Sequence, residues 1–115
     1  MRVGKISTIF TFAQQIYVFL MKSEYQNAII NKIRQLRLSQ DVSQFKISTL
    51  IGVSTGHIGN IETPSKPHKY TLLQLSMICE ELGIKIQDLF LDDISGLSQD
   101  ETIQRLINCI IEYEK

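Results

Sequence analysis

The chain has 115 residues, 43% hydrophobic and 21% charged, which suits one ordinary domain with a real core and excludes both a large two-domain enzyme and wholesale disorder. Twelve Lys and Arg balance twelve Asp and Glu, for a net charge of zero, and that bulk figure points to no nucleic-acid partner. Cys79 and Cys109 stand apart, with no Cys-x-x-Cys spacing and no run of histidines. No structural zinc, other metal or cofactor is therefore expected, and the thiols should be reduced.

Residues 1–22 form an apolar extension. Arg2 and Lys5 precede Ile9, Phe10, Phe12, Ala13 and the run Ile16 to Met21, in the manner of a signal peptide. Gln14 and Gln15 interrupt it, no small-x-small cleavage site follows, and the uninterrupted run is far shorter than the ~20 residues of a spanning helix. The expectation is an arm that packs on the body or on a partner subunit, or an over-extended start with Met21 as the natural beginning, and no membrane association.

Beyond this extension the pattern is helical. Ala28, Ile29, Ile33 and Leu36 recur at three- and four-residue intervals and predict a helix over about 24–39, with Lys32, Arg34 and Gln35 outward. Ser43 reads as the N-cap of a short helix over 44–51 that Gly52 ends, and Ser54 as the cap of another reaching Glu62. Pro64 and Pro67 make 63–69 a loop. Thr71 with Gln74 forms a capping box opening a fourth helix, whose stripe of Leu72, Leu75, Ile78, Cys79 and Leu82 ends at Gly83. Residues 86–90 make one further turn. After a polar break at 92–96, Ser98 and Glu101 open a last helix over 99–113 carrying Ile103, Leu106, Ile107, Ile110 and Ile111 on one side. No strand alternation appears after residue 22, so the fold class is all-α: a four- to five-helix body over 23–95, and a C-terminal helix over 96–115 that is the best dimerisation element. That this helix simply closes the core is the competing reading of its stripe.

The informative stretch is Gln44–Glu62, QFKISTLIGVSTGHIGNIE. Ile47, Ile51, Val53, Ile58 and Ile61 supply the inner faces of two short helices crossing at ~90–120°. Ser48 is small enough for their close approach, and Gly52 makes the turn. With Leu36-Arg37 before it, Gly-Val-Ser and Ile-x-x-Ile-Glu within it, and Leu-Gly-Ile and Leu89-Phe90 after it, the stretch from Ile29 to Phe90 resembles the helix-turn-helix of the phage-repressor and Cro-like (Xre) family.

That resemblance implies a lambda-repressor-like bundle whose helix over 54–62 enters the DNA major groove. Thr55, Gly56, His57 and Asn60 match the base-reading positions. Asn60 is chemically the best reader, since its amide can bond adenine bidentately, while His57 is equally open to a packed, structural role. Gln44, Ser54, Thr63, Ser65 and Lys66 match phosphate-gripping positions, with Lys69 beside them. Arg37 and Glu62 match an internal ion pair beneath the DNA surface. Two departures from the pattern are Gly56 and Gly59 inside the reading helix, each costing up to ~1 kcal/mol of helix propensity. A third is Thr63-Pro64, where a glycine usually follows the glutamate.

The function implied is a cytoplasmic, dimeric, sequence-specific transcriptional regulator, most simply a repressor of a bacterium or phage, on a near-palindromic double-stranded operator. The alternative is a protein-interaction module of the same fold, such as an antitoxin, with a toxin or anti-repressor as partner and DNA binding secondary or lost. An enzyme is not expected: only His57 and His68 are present, with no phosphate-cradling glycine loop and no nucleophile beside a base. Divided by segment, the zero charge becomes +3 over residues 1–22, +3 over 23–70 and −6 over 71–115. The segment expected to read DNA is thus basic, as attraction to phosphate requires.

Overall fold

A computed structural model describes residues 11–16 and 21–115, and it is all-helical, with no strand among the described residues. Most of the extension lies outside the described residues. Its residues 11–16 are helical and exposed, including Phe12 and Ile16. The body consists of α1 (Glu24–Ser39), α2 (Gln44–Ile51), α3 (Thr55–Glu62), α4 (Leu72–Leu82), α5 (Ile86–Phe90) and α6 (Gln99–Glu114).

Local chemistry sets the boundaries. Capping boxes start α4 at Thr71/Gln74 and α6 at Ser98/Glu101, and a third, Ser23/Gln26, starts α1. In each, the cap hydroxyl accepts from the amide of the third helical residue, whose side-chain Oε1 in turn accepts from the cap amide. Ser43 and Ser54 accept from the amides of Lys46 and His57 and so start α2 and α3. Gly52 (φ 76°) and Gly83 (φ 75°) take the left-handed conformation that ends α2 and α4, at no cost from a Cβ.

The core is a single cluster. Ile29, Ile30 and Ile33 of α1 meet Ile47 of α2, Ile58 and Ile61 of α3, Leu75, Ile78, Cys79 and Leu82 of α4, and Leu89 and Phe90 of α5. Helices α2 and α3, joined by the turn at Gly52, pack on each other, α2 leans on α4 and α3 on α1. Both cysteines are unpaired, Cys79 in the core, where burial pushes its thiol up to about 11.

The last helix packs against α1 and α5 and inserts Tyr113, fully buried, into the core. Tyr113 Oη donates to the Tyr70 carbonyl (2.7 Å), its own carbonyl accepts from Gln26 Nε2 (2.7 Å), and its ring stands edge-on to Phe90. The stripe on α6 consequently divides in two. Leu106, Cys109 and Ile110 pack on the core, whereas Ile103, Ile107 and Ile111 remain 44–53% exposed. At the front of the body, Lys22, the last residue of the apolar extension, is buried.

Candidate functional site

The features singled out in the sequence converge around α3. Beneath it, Arg37 grips Glu62 with two bonds, Nε to Oε2 at 2.7 Å and Nη2 to Oε1 at 2.6 Å, and both side chains are more than nine-tenths buried. Arg37 Nη1 also donates to the Val42 carbonyl (3.1 Å), tying the α1–α2 connection to the end of α3. Burial pushes the Glu62 carboxyl up, but the bonds from Arg37 and Gln44 more than reverse this and hold it below the usual carboxylate range. The expected internal pair forms, in the bidentate geometry that gives an arginine–carboxylate contact its strength.

Gln44 takes part in the same lock. Its Nε2 donates to Glu62 Oε1 (3.0 Å), so the first residue of α2 is anchored to the last residue of α3. Thr55 Oγ1 lies 3.2 Å from the buried Ser48 Oγ, a second bond across the two helices. The α2–α3 unit therefore has a bond at each end and an apolar seam between.

The outer surface of α3 is polar and open. Gly56 has nothing within 4 Å of where a Cβ would stand, whereas a Cβ on Gly59 would meet Gln44 Oε1 at 3.9 Å. The Asn60 side chain makes no hydrogen bond among the described residues, although the Asn60 backbone carbonyl accepts from the Thr63 amide (3.2 Å). Ser54 caps α3 and is exposed. His57 is half-buried, its ring 5.5 Å from that of His68 and nearly perpendicular to it, so it is braced by the following loop.

That loop carries Thr63, Ser65 and Lys66. Thr63 Oγ1 donates to the Gly59 carbonyl (2.7 Å) and the Lys66 amide to the Thr63 carbonyl (3.0 Å), while Ser65 and Lys66 are exposed. Lys69 is turned toward α6. Its Nζ sits 5.2 Å above the Tyr113 ring and 3.2 Å from the Tyr113 carbonyl. A cation is favoured there by the ring face and by the negative end of the helix dipole, so Lys69 closes the end of α6 instead of standing with Lys66.

Lys22 is the residue that sequence reasoning missed. Its Nζ donates to the carbonyls of Ile61 (2.6 Å), Thr63 (3.1 Å) and His68 (2.8 Å), spanning the last turn of α3 and the loop beyond it. Burial pushes its amine down to about 8. A lysine next to an apolar stretch carries no sequence signal for this role, since its acceptors are backbone carbonyls some forty residues away.

Comparison of the chain with protein-family models, with curated proteins and with solved structures finds no match. Among the described residues no helix is long and apolar enough to cross a membrane, and no group of three or more His, Cys, Asp and Glu could hold a metal ion.

Proposed function

We propose that the protein is a sequence-specific DNA-binding regulator of the phage-repressor and Cro-like kind, most simply a repressor, with α2–α3 as its helix-turn-helix. The single observation that carries this reading is the Arg37–Glu62–Gln44 lock beneath α3, combined with an outer α3 surface left polar and open. A helix held from below in this way presents its side chains to a groove without having to order them on binding, which lowers the entropic cost of association.

In this reading Asn60 and Thr55 meet base edges, Gly56 lets the backbone approach closely, and His57 supports the surface through His68. Gln44 at the start of α2, with Ser54, Thr63, Ser65 and Lys66, would grip phosphates on either side. Lys69 drops out of the set. Dimerisation would use Ile103, Ile107 and Ile111, the exposed half of the α6 stripe, and set two half-sites about one helical turn apart.

The test is fluorescence anisotropy with a labelled mixed-sequence duplex across a salt series. Binding that weakens steeply and linearly in log–log form supports the reading; no binding at 50 mM salt counts against it. A protein-interaction role draws on a different surface. Phe45 (68% exposed) and Leu73 (71%) lie on α2 and α4, where Phe45, Lys46, Thr49, Leu50 and Glu81 line a shallow groove. Co-purification of a small partner that Phe45→Ser releases, without loss of DNA affinity, would favour that role.

A further inference from the structure

We infer that Lys22 is a positioning residue for the loop 63–69, holding Thr63, Ser65 and Lys66 at the end of α3 so that they meet the DNA backbone as a preformed set. The inference rests on the DNA-binding reading above for its functional half. Its structural half stands on geometry alone.

Three carbonyls converge on one ammonium. The Ile61 carbonyl belongs to the last turn of α3, where backbone acceptors lack intrahelical partners. The carbonyls of Thr63 and His68 lie at the two ends of the loop. An ammonium has three donors and no acceptor, so the contacts use its whole capacity. At its far end the loop is tied to α6 by Lys69 Nζ on the Tyr113 carbonyl, and His68 stands against His57; at its near end the Thr63 amide to Asn60, Thr63 Oγ1 to Gly59 and the Lys66 amide to Thr63 all run within one short segment. Lys22 is thus the long-range clamp between this loop and the entry of the chain into α1.

The clamp also has an electrostatic effect. A buried cation at the C-terminus of α3 offsets the negative end of that helix. Burial alone would favour a neutral side chain here, and the amine is pushed down to about 8 as a result. A methionine could fill the same space without that cost, yet it would leave three carbonyls without donors. The residue type matches the need to hold the loop and not simply to fill the core.

The experiment compares wild-type protein with Lys22→Met, which keeps the length and removes the donors. Amide hydrogen exchange is followed by NMR in the folded protein without DNA, and duplex affinity is measured across a salt series. If Lys22 positions the loop, the amides of Thr63 and Lys66 exchange about tenfold faster while those of α1 keep their rates. Affinity for every duplex falls about tenfold, with a salt slope shallower by about 0.9 as the Lys66 contact is lost. In a Lys66→Ala background the same substitution costs less affinity than in the wild-type background, because the part of its effect that runs through Lys66 is already gone; a full loss of about tenfold there would overturn the link to Lys66.

Wild-type loop exchange in Lys22→Met, or equal acceleration throughout the body, overturns the inference. So does a loosened loop with unchanged affinity. If wild-type protein binds no duplex, the DNA-binding reading fails and the exchange arm still decides whether Lys22 holds the loop. Should Lys22→Met not fold, Lys22→Gln, which keeps two of the three donors, carries the comparison with a smaller acceleration of loop exchange expected.

Discussion

Gly56 offers a substitution in which stability and DNA binding should move in opposite directions. It is the second residue of α3, and nothing lies within 4 Å of the position that a Cβ would occupy. Alanine there costs no contact and removes backbone freedom from the unfolded chain, so Gly56→Ala should stabilise the protein by about 0.5–1 kcal/mol. For a body of this size that corresponds to a rise in Tm of about 2–6 °C. The same methyl points from the N-terminal turn of α3, the part that would enter a groove first, and a backbone held off by one methyl loses its shortest contacts. Affinity for a selected duplex should fall about tenfold, or ~1.4 kcal/mol. Gly59→Ala is the internal control, because its methyl meets Gln44 at an ordinary 3.9 Å and should raise Tm without weakening binding. Thermal melts by circular dichroism and anisotropy titrations read both quantities. A lower Tm for Gly56→Ala would refute the open-space argument, and an unchanged affinity would remove Gly56 from the interface.

The other predictions concern the lock, the readers and the α6 face. Arg37→Met leaves Glu62 buried without its main partner and should destabilise the fold by about 3–5 kcal/mol in urea denaturation; a loss under ~1 kcal/mol would mean that the pair is solvated. Glu62 is held below its unfolded pKa, so its contribution is present above the ordinary glutamate range, near ~4.3, and is lost as pH falls through the lower folded value. Glu62→Gln should therefore flatten stability against pH on the acid side, and an acid limb matching wild type would contradict the assignment. Asn60→Ala should cost ~1–3 kcal/mol on a selected site and almost nothing on unrelated DNA; an equal loss on both would make it a phosphate contact. Lys66→Ala should weaken all duplexes alike and reduce the salt slope by about 0.9, whereas Lys69→Ala, through its place at the end of α6, should lower Tm and leave that slope unchanged. Ile107→Glu should convert dimers to monomers in light scattering while keeping the fold, and a persisting dimer would place the interface elsewhere. Truncation at Gly96 is a poorer test, because it removes Tyr113 from the core.

Helix positions were legible in the sequence because their ends are chemically marked. Serine caps, two capping boxes and the glycines at 52 and 83 bracket apolar stripes at helical spacing, and α1 to α5 fall where these signals place them. The Arg37–Glu62 pair was legible only through the resemblance, since charges twenty-five positions apart carry no local pattern. The α6 stripe was legible only in part. Ile103, Leu106, Ile107, Ile110 and Ile111 span an arc wider than one contact, and only packing shows that Tyr113 turns the inner portion toward the core. Lys69 and Lys66 look alike in sequence, yet one lies within reach of the Tyr113 carbonyl and ring, and the other faces solvent. Lys22 could not be read at all, because its partners are carbonyls, which every residue has. What sequence conveyed well was local; contacts made across the chain to backbone atoms needed coordinates.

The charge division sharpens the functional claim. The segment 23–70 holds the lock, α3 and the loop and carries +3, while 71–115 carries −6. In the proposed reading, attraction to DNA would come from this segment together with the +3 of residues 1–22, and the acidic remainder would limit non-specific association. The claim that α3 reads DNA is tested most directly by selecting bound duplexes from a random library with the full chain. The account predicts enrichment of a short motif with approximate two-fold symmetry and half-sites about one helical turn apart. A library that remains random after repeated rounds would contradict it.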